Sequence, residues 1–260
     1  MMAQRWRDRR DRFVPAGETI RPSDYAVDVL ERPVAKAFVE RHHYSGTFPA
    51  DRLSVGLFRG RELVGAAVFS VPMNQRAVPL YLGLEANAGC ELGRLVLLDD
   101  VPFNGESWFM ARAFRALRSE KPDVQAVLSY SDPVPRLGPD GRLVKPGHVG
   151  IIYQALGAVY RGMSGDRTAY VDQAGRIING RALSKIRRGE RGWEYAVEQL
   201  RQMGAADRLP LEEPAAYLRR LEALGFVQRR RRPGNHAYTF ALSDQARRAR
   251  GYYLPMRPYP

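Results

Sequence analysis

The order of apolar patterns between residues 53 and 130 constrains the fold of this chain more than any other feature. Two strand-like segments joined by a short turn are followed by a third strand, a polar loop, a helix with one apolar face, and a fourth strand. A strand–helix–strand crossover beside an antiparallel hairpin predicts an α/β fold, with a mixed sheet covered by helices. The segments are Leu53–Phe58, Leu63–Val71, Leu92–Leu98, Ser107–Arg118 and Val124–Tyr130.

Shorter elements extend this pattern on both sides. Pro33 suits the first turn of a helix that ends near Gly46. The Pro- and Gly-rich segment 133–147 predicts an exposed loop, and residues 149–156 and 158–162 predict a short helix and a strand.

Composition divides the chain into a basic arm at residues 1–24, a core at 25–165 and a basic extension at 166–260. The arm has few apolar residues and predicts a frayed terminus, with a DNA-contacting arm as the alternative. In the extension, a helix beginning at Pro214 precedes residues 226–242, which predict a hairpin with a basic strand. A helix followed by such a hairpin also resembles half of a winged helix.

The charge balance indicates a polyanionic partner. The 260 residues include 41 Lys and Arg against 28 Asp and Glu, a net charge of +13. This surplus favours nucleic acid, because each phosphate that a cation neutralises releases counterions; solubility or an acidic protein is the alternative. The single cysteine, Cys90, cannot form an internal disulfide, and no run is apolar enough to span a membrane. We therefore expect a cytoplasmic protein without membrane contact.

Two runs of polar residues are candidates for a functional site. His42-His43-Tyr44-Ser45 follows the first helix, and imidazole and phenol groups can both exchange protons. Ser129-Tyr130-Ser131-Asp132 ends a buried strand, where a carboxylate can orient or deprotonate an amine or bind a metal. The alternatives are surface histidines at a helix end and an Asp-Pro turn that ends the strand.

These groups occur in one order with three others, and the ordered set resembles the Mom family of phage DNA-modification proteins over residues 34–163. The resemblance implies a GNAT-like acyltransferase core. It also implies transfer of a glycine-derived, carbamoylmethyl group to the exocyclic amine of adenine in double-stranded DNA, which protects phage DNA from restriction. The other motifs are Glu91-Leu92-Gly93-Arg94-Leu95, Pro102-Phe103-Asn104-Gly105-Glu106-Ser107 and His148-Val149-Gly150 followed by Tyr153-Gln154-Ala155.

The resemblance implies site residues as well. Tyr153 stands where GNAT enzymes place a tyrosine beside the leaving group, with core packing as the alternative. The donor is acetyl-coenzyme A-like or glycine-derived, and if iron is used, His43, Tyr44 and Asp132 are its ligands. The catalytic candidates are His43, Tyr44, Asp132, Tyr153 and Ser107, and the donor-binding candidates are Arg94, Asn104, Gly105 and Ser107.

The loop before the second helix departs from the GNAT pattern. GNAT enzymes usually carry a glycine-rich loop there to hold the diphosphate of coenzyme A at the helix N-terminus. Here Asp99, Asp100 and Glu106 are acidic, and only Gly105 remains of the glycines. Ser107 is an ordinary helix cap in the alternative interpretation.

Binding of double-stranded DNA is predicted to use the basic extension, because guanidinium groups match phosphate geometry. A solvated basic face is the alternative. Since a paired adenine cannot reach an active-site pocket, we also expect base flipping, with a tyrosine or Trp108 stacking on the base unless Trp108 packs in the core. The phosphate-binding candidates are Lys185, Arg187, Arg188, Arg229, Arg230, Arg231 and Arg232.

Two other functions are compatible with the sequence. One is a GNAT acetyltransferase that acts on a protein or a small molecule, which the acidic loop disfavours. The other is a non-enzymatic DNA-binding regulator with a winged-helix-like tail. That regulator would leave the His-Tyr, Ser-Tyr-Ser-Asp and His-Val-Gly motifs without a role.

Overall fold

A computed structural model of the chain describes residues 2–15, 17–137, 143–249 and 257–260. The elements in chain order are β1 (Met2–Arg7), β2 (Arg10–Pro15), β3 (Tyr25–Val29), α1 (Arg32–His42), β4 (Asp51–Arg59), β5 (Glu62–Ser70), α2 (Ala77–Leu82), β6 (Gly89–Leu97), α3 (Gly105–Glu120), β7 (Ala126–Ser131), β8 (Arg136–Leu137), β9 (Leu143–Lys145), α4 (Ile151–Ala155), β10 (Val159–Met163), β11 (Arg167–Val171), β12 (Ile177–Ile178), α5 (Gly180–Arg188), α6 (Trp193–Gln202), α7 (Pro214–Ala223), β13 (Gln228–Arg232), β14 (His236–Ala241) and α8 (Asp244–Ala249). No helix among the described residues is long and apolar enough to cross a membrane.

The chain forms two compact units. The first comprises Met1–Arg136, Leu143–Ser164 and Asn235–Pro260, and the second comprises Leu137–Arg142 and Gly165–Gly234. The second unit is therefore almost entirely an insertion between β10 and β14. The predicted boundary at residue 165 matches its start, but the prediction of one extension from 166 to 260 is wrong, because the chain returns to the first unit at Asn235.

A seven-stranded mixed sheet organises the first unit, in the order β10-β14-β7-β6-β5-β4-β3. Neighbouring strands are antiparallel except β6 and β7, which are parallel and pair only from Gly89–Glu91 to Ala126–Leu128. The helix α3 makes the crossover between these two strands. The predicted α/β fold with a mixed sheet is confirmed.

Alternating side chains of the sheet supply two apolar layers. Val127, Tyr238 and Phe240 pack on one face with α3, which buries Phe109, Met110 and Leu117. On the other face, Ala126 and Leu128 pack against α2, while Ala66 and Val68 pack against α1. Both faces of the central strands are covered, and this explains why those strands are almost continuously apolar.

Residues 226–242 do not form the predicted hairpin. β13 pairs with β11 in the second unit, whereas β14 lies between β7 and β10 in the large sheet. Asn235 closes the insertion, because its N–H donates to the Ser164 hydroxyl at 2.8 Å. The pattern of two strands joined by Pro233-Gly234-Asn235 is local, and the tertiary pairing overrides it.

The predicted frayed arm is an ordered hairpin, which we call the N-terminal hairpin (residues 2–15). β1 pairs with β2 in an antiparallel register from Met2↔Pro15 to Arg7↔Arg10. Arg5 is fully buried and Trp6 is 8% exposed, so the hairpin is packed onto the first unit through β1. The sequence does not reveal this packing, because one of the two buried residues is an arginine.

The second unit has its own core, which α5, α6 and α7 build around Leu183, Leu200 and Tyr217. Its sheet has the order β12-β11-β13. A leucine, isoleucine and tyrosine core of this size indicates a folded unit rather than a flexible tail.

Candidate active site

The site begins where β6 and β7 separate. After the pair Glu91↔Leu128, β6 continues beside β5 and β7 continues beside β14, so a gap opens in the sheet. Ser129 and Ser131 lie on β7 beyond the last β6–β7 pair, and both are fully buried. We call this gap, with the two buried hydroxyl groups beside it, the slot.

Tyr153, on the short helix α4, is buried against this slot. Its ring centroid lies 5.3 Å from that of Tyr238 on β14. Burial raises the pKa of Tyr153 to about 12, although the nearby Ser129 hydroxyl acts in the opposite direction. The phenol is therefore protonated at neutral pH and can donate a proton. The alternative of core packing is compatible with this position, because Tyr153 also contacts the main apolar cluster.

Asp132, directly after β7, is held by a buried lysine. The Lys145 ammonium lies 3.5 Å from Oδ2 of Asp132 and donates to the Asp132 backbone oxygen at 2.9 Å. Lys145 is fully buried, and its Nζ lies 5.8 Å from the centre of the Tyr44 ring. The structure thus brings Tyr44 and Asp132, 88 residues apart in sequence, to the same lysine. The segment 133–147 was predicted to be an exposed loop, which is wrong for Lys145; residues 138–142 lie outside the described part.

His148 completes this cluster. Its backbone N–H donates to the Asp132 carbonyl oxygen at 3.1 Å. Burial, followed by the positive charge of Lys145, lowers the pKa of His148 to about 4, while Asp132 acts in the opposite direction and His236 adds to the lowering. The imidazole is therefore neutral near pH 7.

This shift predicts a pH-dependent stability. The unfolded chain binds a proton at His148 below about pH 6.5, whereas the folded protein does so only near pH 4. Stability must then fall as the pH drops through this window, by roughly 2 kcal/mol at about pH 5. Thermal unfolding of wild type and His148→Gln at neutral and acidic pH measures it. The variant should lose less stability on acidification, and equal losses would show that other groups cause the effect.

His43 and Tyr44 lie under the N-terminal hairpin. The Trp6 ring centroid is 5.0 Å from that of Tyr44 and 6.1 Å from that of His43. The backbone N–H of Ser45 donates to Nδ1 of His43 at 3.1 Å. Since Nδ1 accepts this bond, a ring proton lies on Nε2.

The iron ligands implied by the family resemblance do not fit a metal site in this arrangement. Nδ1 of His43 accepts from Ser45, and the Asp132 carboxylate faces Lys145. Within the described ranges, no three His, Cys, Asp or Glu side chains converge on one point. No metal-dependent step is therefore derived for these residues.

Glu91 lies at the gap but was not among the predicted site residues, although it belongs to one of the ordered motifs. It occupies the last position at which β6 pairs with β7. Burial raises the pKa of Glu91, while Arg94 and the backbone N–H of Met73 lower it. The negative charge of Glu91 makes a smaller contribution to the raised pKa of Tyr153. An acidic residue inside the apolar strand Gly89–Leu97 was the available signal.

The donor-binding candidates are divided between two places. Arg94 donates to the carbonyl and hydroxyl oxygens of Thr47 at 3.0 and 2.8 Å, which ties β6 to the loop after α1. Asn104, Gly105 and Ser107 lie at the start of α3, where Asn104 adopts a left-handed φ of 63°. The donor-binding role of these four residues stays a prediction.

The predicted phosphate-binding residues all lie in the second unit. Arg229 to Arg232 form β13, which pairs with Tyr170 to Arg167 of β11. A surface cavity of about 370 Å³ there is lined by Asp166, Arg167, Thr168 and Arg229–Arg231. Lys185, Arg187 and Arg188 lie on α5, where Arg187 and Arg188 pair with Glu222 and Glu190 at 3.3 and 3.5 Å. The β13 arginines form the denser basic surface.

The sheet defines the class of protein. In chain order, its strands lie first, second, third, fourth, fifth, seventh, sixth, and only the fourth and fifth are parallel. With the gap between those two strands and the tyrosine of α4 beside it, this is the arrangement of a GNAT-like fold. The chain belongs to the Mom protein family, whose family model matches residues 24–260.

One curated relative is the methylcarbamoylase mom of Escherichia phage Mu. It is 30% identical over 131 residues, which are 50% of this chain and 50% of the relative, so the match spans about half the length of that protein. Among solved structures, a tandem GNAT protein from the clavulanic acid biosynthesis pathway matches with a TM-score of 0.43 and 10% identity, covering 84% of this chain and 99% of that chain. The ribosomal-protein-S18-alanine N-acetyltransferase from Escherichia coli matches with a TM-score of 0.35 and 14% identity, covering 59% and 88%.

Proposed function

We propose that the chain transfers a glycine-derived, carbamoylmethyl group to the exocyclic amine of adenine in double-stranded DNA, and so protects phage DNA from restriction. The observation that carries the proposal is the cluster at the gap between β6 and β7. There, Asp132 and Tyr44 meet at the buried Lys145, with the protonated Tyr153 on the adjoining helix. Membership of the Mom family supplies the reaction that such a cluster would serve.

The chemistry requires a base and an acid. The adenine amine is a poor nucleophile, because its lone pair is delocalised into the ring, so it must be placed in line with the electrophile and lose a proton as the N–C bond forms. Asp132, fixed by Lys145, takes the positioning or base role. Tyr153 donates a proton to the leaving group as the bond between that group and the transferred carbon breaks.

His43, Tyr44 and Ser107 have supporting roles in this proposal. Tyr44 lies beside Lys145 and forms the wall of the site together with His43. With a proton on Nε2, His43 can donate a hydrogen bond at that atom but not accept one. Ser107, in the first turn of α3, is the least constrained of the catalytic candidates.

DNA is the partner that the second unit suits. The exposed Arg229, Arg230 and Arg231 line an open cavity on one small sheet, a surface that matches phosphate oxygens. Because the target amine is paired inside the duplex, adenine has to be flipped into the site. Trp108 is half-buried against the core, and the Arg112 guanidinium carbon lies 3.6 Å from the centre of its ring. This position favours a packing role for Trp108 over stacking on the base.

Mass spectrometry of nucleosides tests the reaction directly. DNA from cells that express the chain should contain an adenine adduct with the mass of a carbamoylmethyl group, and DNA from cells expressing an inactive variant should not. Unmodified DNA, with the protein present and folded, would contradict the proposal. Acetylated protein or small molecules without a DNA adduct would instead identify an ordinary GNAT acetyltransferase.

The alternative function, a non-enzymatic DNA-binding regulator, no longer has the sequence pattern that suggested it. It relied on a helix and a hairpin forming half of a winged helix, and β13 and β14 do not form that hairpin. It would also leave the buried Asp132–Lys145 pair without a role.

A charge variant tests the DNA surface. Replacing Arg229, Arg230 and Arg231 with glutamine should lower DNA affinity and reduce the slope of log affinity against log salt by about 2 to 3, since each lost phosphate contact removes about 0.9. The matched control replaces the exposed Arg61, Arg115 and Arg118 of the first unit, which changes the net charge equally. Fluorescence anisotropy over a salt series gives both slopes. Equal slopes for the two triple variants would show that only net charge matters.

A further inference from the structure

The N-terminal hairpin is bound to the loop that leads into α3. This hairpin precedes the residues that the family model matches. It nevertheless belongs to the first unit and is joined to the loop before α3 on several sides. Phe103 of that loop pairs with the chain just after the hairpin, since Ile20 N–H donates to Phe103 O and Phe103 N–H donates to Glu18 O, both at 3.0 Å.

Arg5 is the centre of this contact. Its side chain is fully buried and ion-paired with the Glu106 carboxylate. Nε donates to Val101 O at 3.2 Å and Nη2 donates to Pro102 O at 2.8 Å. The guanidinium therefore satisfies the carbonyl oxygens just before the helix and neutralises the acidic residue in its first turn.

Acidic residues occupy the rest of the loop. Arg7 is ion-paired with Asp99 and lies 3.3 Å from Asp100, and Arg12 lies 3.8 Å from Asp99. An anionic diphosphate at this helix start would meet carboxylates, and would have to displace the arginines that neutralise them. Helix N-termini favour anions, and here the favoured anion is the protein's own Glu106.

Gly105 also serves packing at this point. A Cβ at Gly105 would lie 2.5 Å from Cγ1 of Val101. The glycine lets the loop close against its own valine, and Nη2 of Arg5 lies 3.7 Å from the same position. The space that a glycine could leave for a phosphate is therefore occupied by protein atoms.

We propose that the N-terminal hairpin, through Arg5, takes the place of a donor diphosphate at the start of α3, so that this enzyme binds its donor without a coenzyme A-type diphosphate there. The inference rests on the proposed transferase function. Through Trp6, the same hairpin also packs on Tyr44.

Calorimetric titration of the full chain with coenzyme A and with inorganic pyrophosphate tests this. Wild type should show no saturable binding of either ligand at concentrations on the order of 1 mM. Saturable coenzyme A binding by wild type, weakened in Arg5→Ala, would overturn the proposal, because Arg5 would then be a diphosphate ligand. The wild-type measurement does not depend on how any variant folds.

A double variant tests whether Arg5 and Glu106 exclude a diphosphate from the start of α3. Arg5→Ala combined with Glu106→Gln opens the helix start and removes its carboxylate, and should gain pyrophosphate affinity by about 10-fold or more. Arg10→Ala, an exposed arginine on the same hairpin, is the matched control and should behave as wild type. Thermal unfolding verifies that each variant is folded. Unchanged pyrophosphate affinity in a folded double variant would overturn the assignment of Arg5, while the nucleoside measurement reports the proposed function separately.

Discussion

Asp132→Asn is expected to lower adenine modification by at least about 100-fold, the lower end of what a positioned general base contributes. Asparagine keeps the size of the side chain and can still accept the Val134 N–H, which donates to Oδ1 at 3.0 Å. It removes the negative charge beside Lys145 and the group that accepts the amine proton. Quantitative nucleoside mass spectrometry after a fixed reaction time measures the loss.

The same change should also destabilise the protein, and this effect must be separated from catalysis. The Lys145 side chain is 1% exposed, so removing its carboxylate partner is expected to cost about 3–5 kcal/mol. Adding Lys145→Met removes the buried charge and should restore most of the stability but none of the activity. A folded Asp132→Asn protein that modifies DNA at the wild-type rate would refute the role of Asp132.

Tyr153→Phe is expected to lower the modification rate by about 100-fold, because it removes only the proton that the leaving group takes. The ring stays in the core, and the free energy of unfolding should change little. Since burial raises the pKa of Tyr153 to about 12, the wild-type rate should show no loss from ionisation of this tyrosine near neutral pH. Single-turnover kinetics on duplex DNA measures the rate.

Tyr217→Phe is the matched control for that variant. Tyr217 is fully buried in the second unit, and its hydroxyl donates to the Ala206 carbonyl oxygen at 2.9 Å. Losing the hydroxyl there removes one hydrogen bond but no site group, so modification should remain normal. If both phenylalanine variants lose activity equally, or neither does, Tyr153 acts through packing and not as a proton donor.

The core of the fold could be predicted from the sequence because its signals are local. The strand and helix periods between residues 53 and 130 fix which side chains are buried. The observed β4, β5, β6, α3 and β7 lie within a few residues of the predicted segments. The family could be recognised for a similar reason, since its motifs lie in short contiguous stretches, and the match over residues 24–260 confirms it.

Strand pairing over long sequence separations could not be predicted in this way. The local sequence pattern predicts that β14 is the second strand of a hairpin. In the structure it pairs with β7, more than 100 residues earlier. Pairing with a central strand buries both faces of β14. This burial stabilises the strand more than a local hairpin turn would. The C-terminal boundary of the inserted unit, at Gly234, follows from that pairing and has no compositional sign.

The candidate site shows the same division. By itself, the sequence determined which groups are candidates for the chemistry, because the residue types of Asp132, Tyr153, His43 and Tyr44 are read directly. Only the tertiary structure decided which of them meet, and that Lys145 and Glu91 join them. It also decided that Arg5, from an arm that looked disordered, lies buried at the start of α3. A charged side chain can be buried only beside an oppositely charged partner. The partner of Arg5 is Glu106, 101 residues away in the sequence.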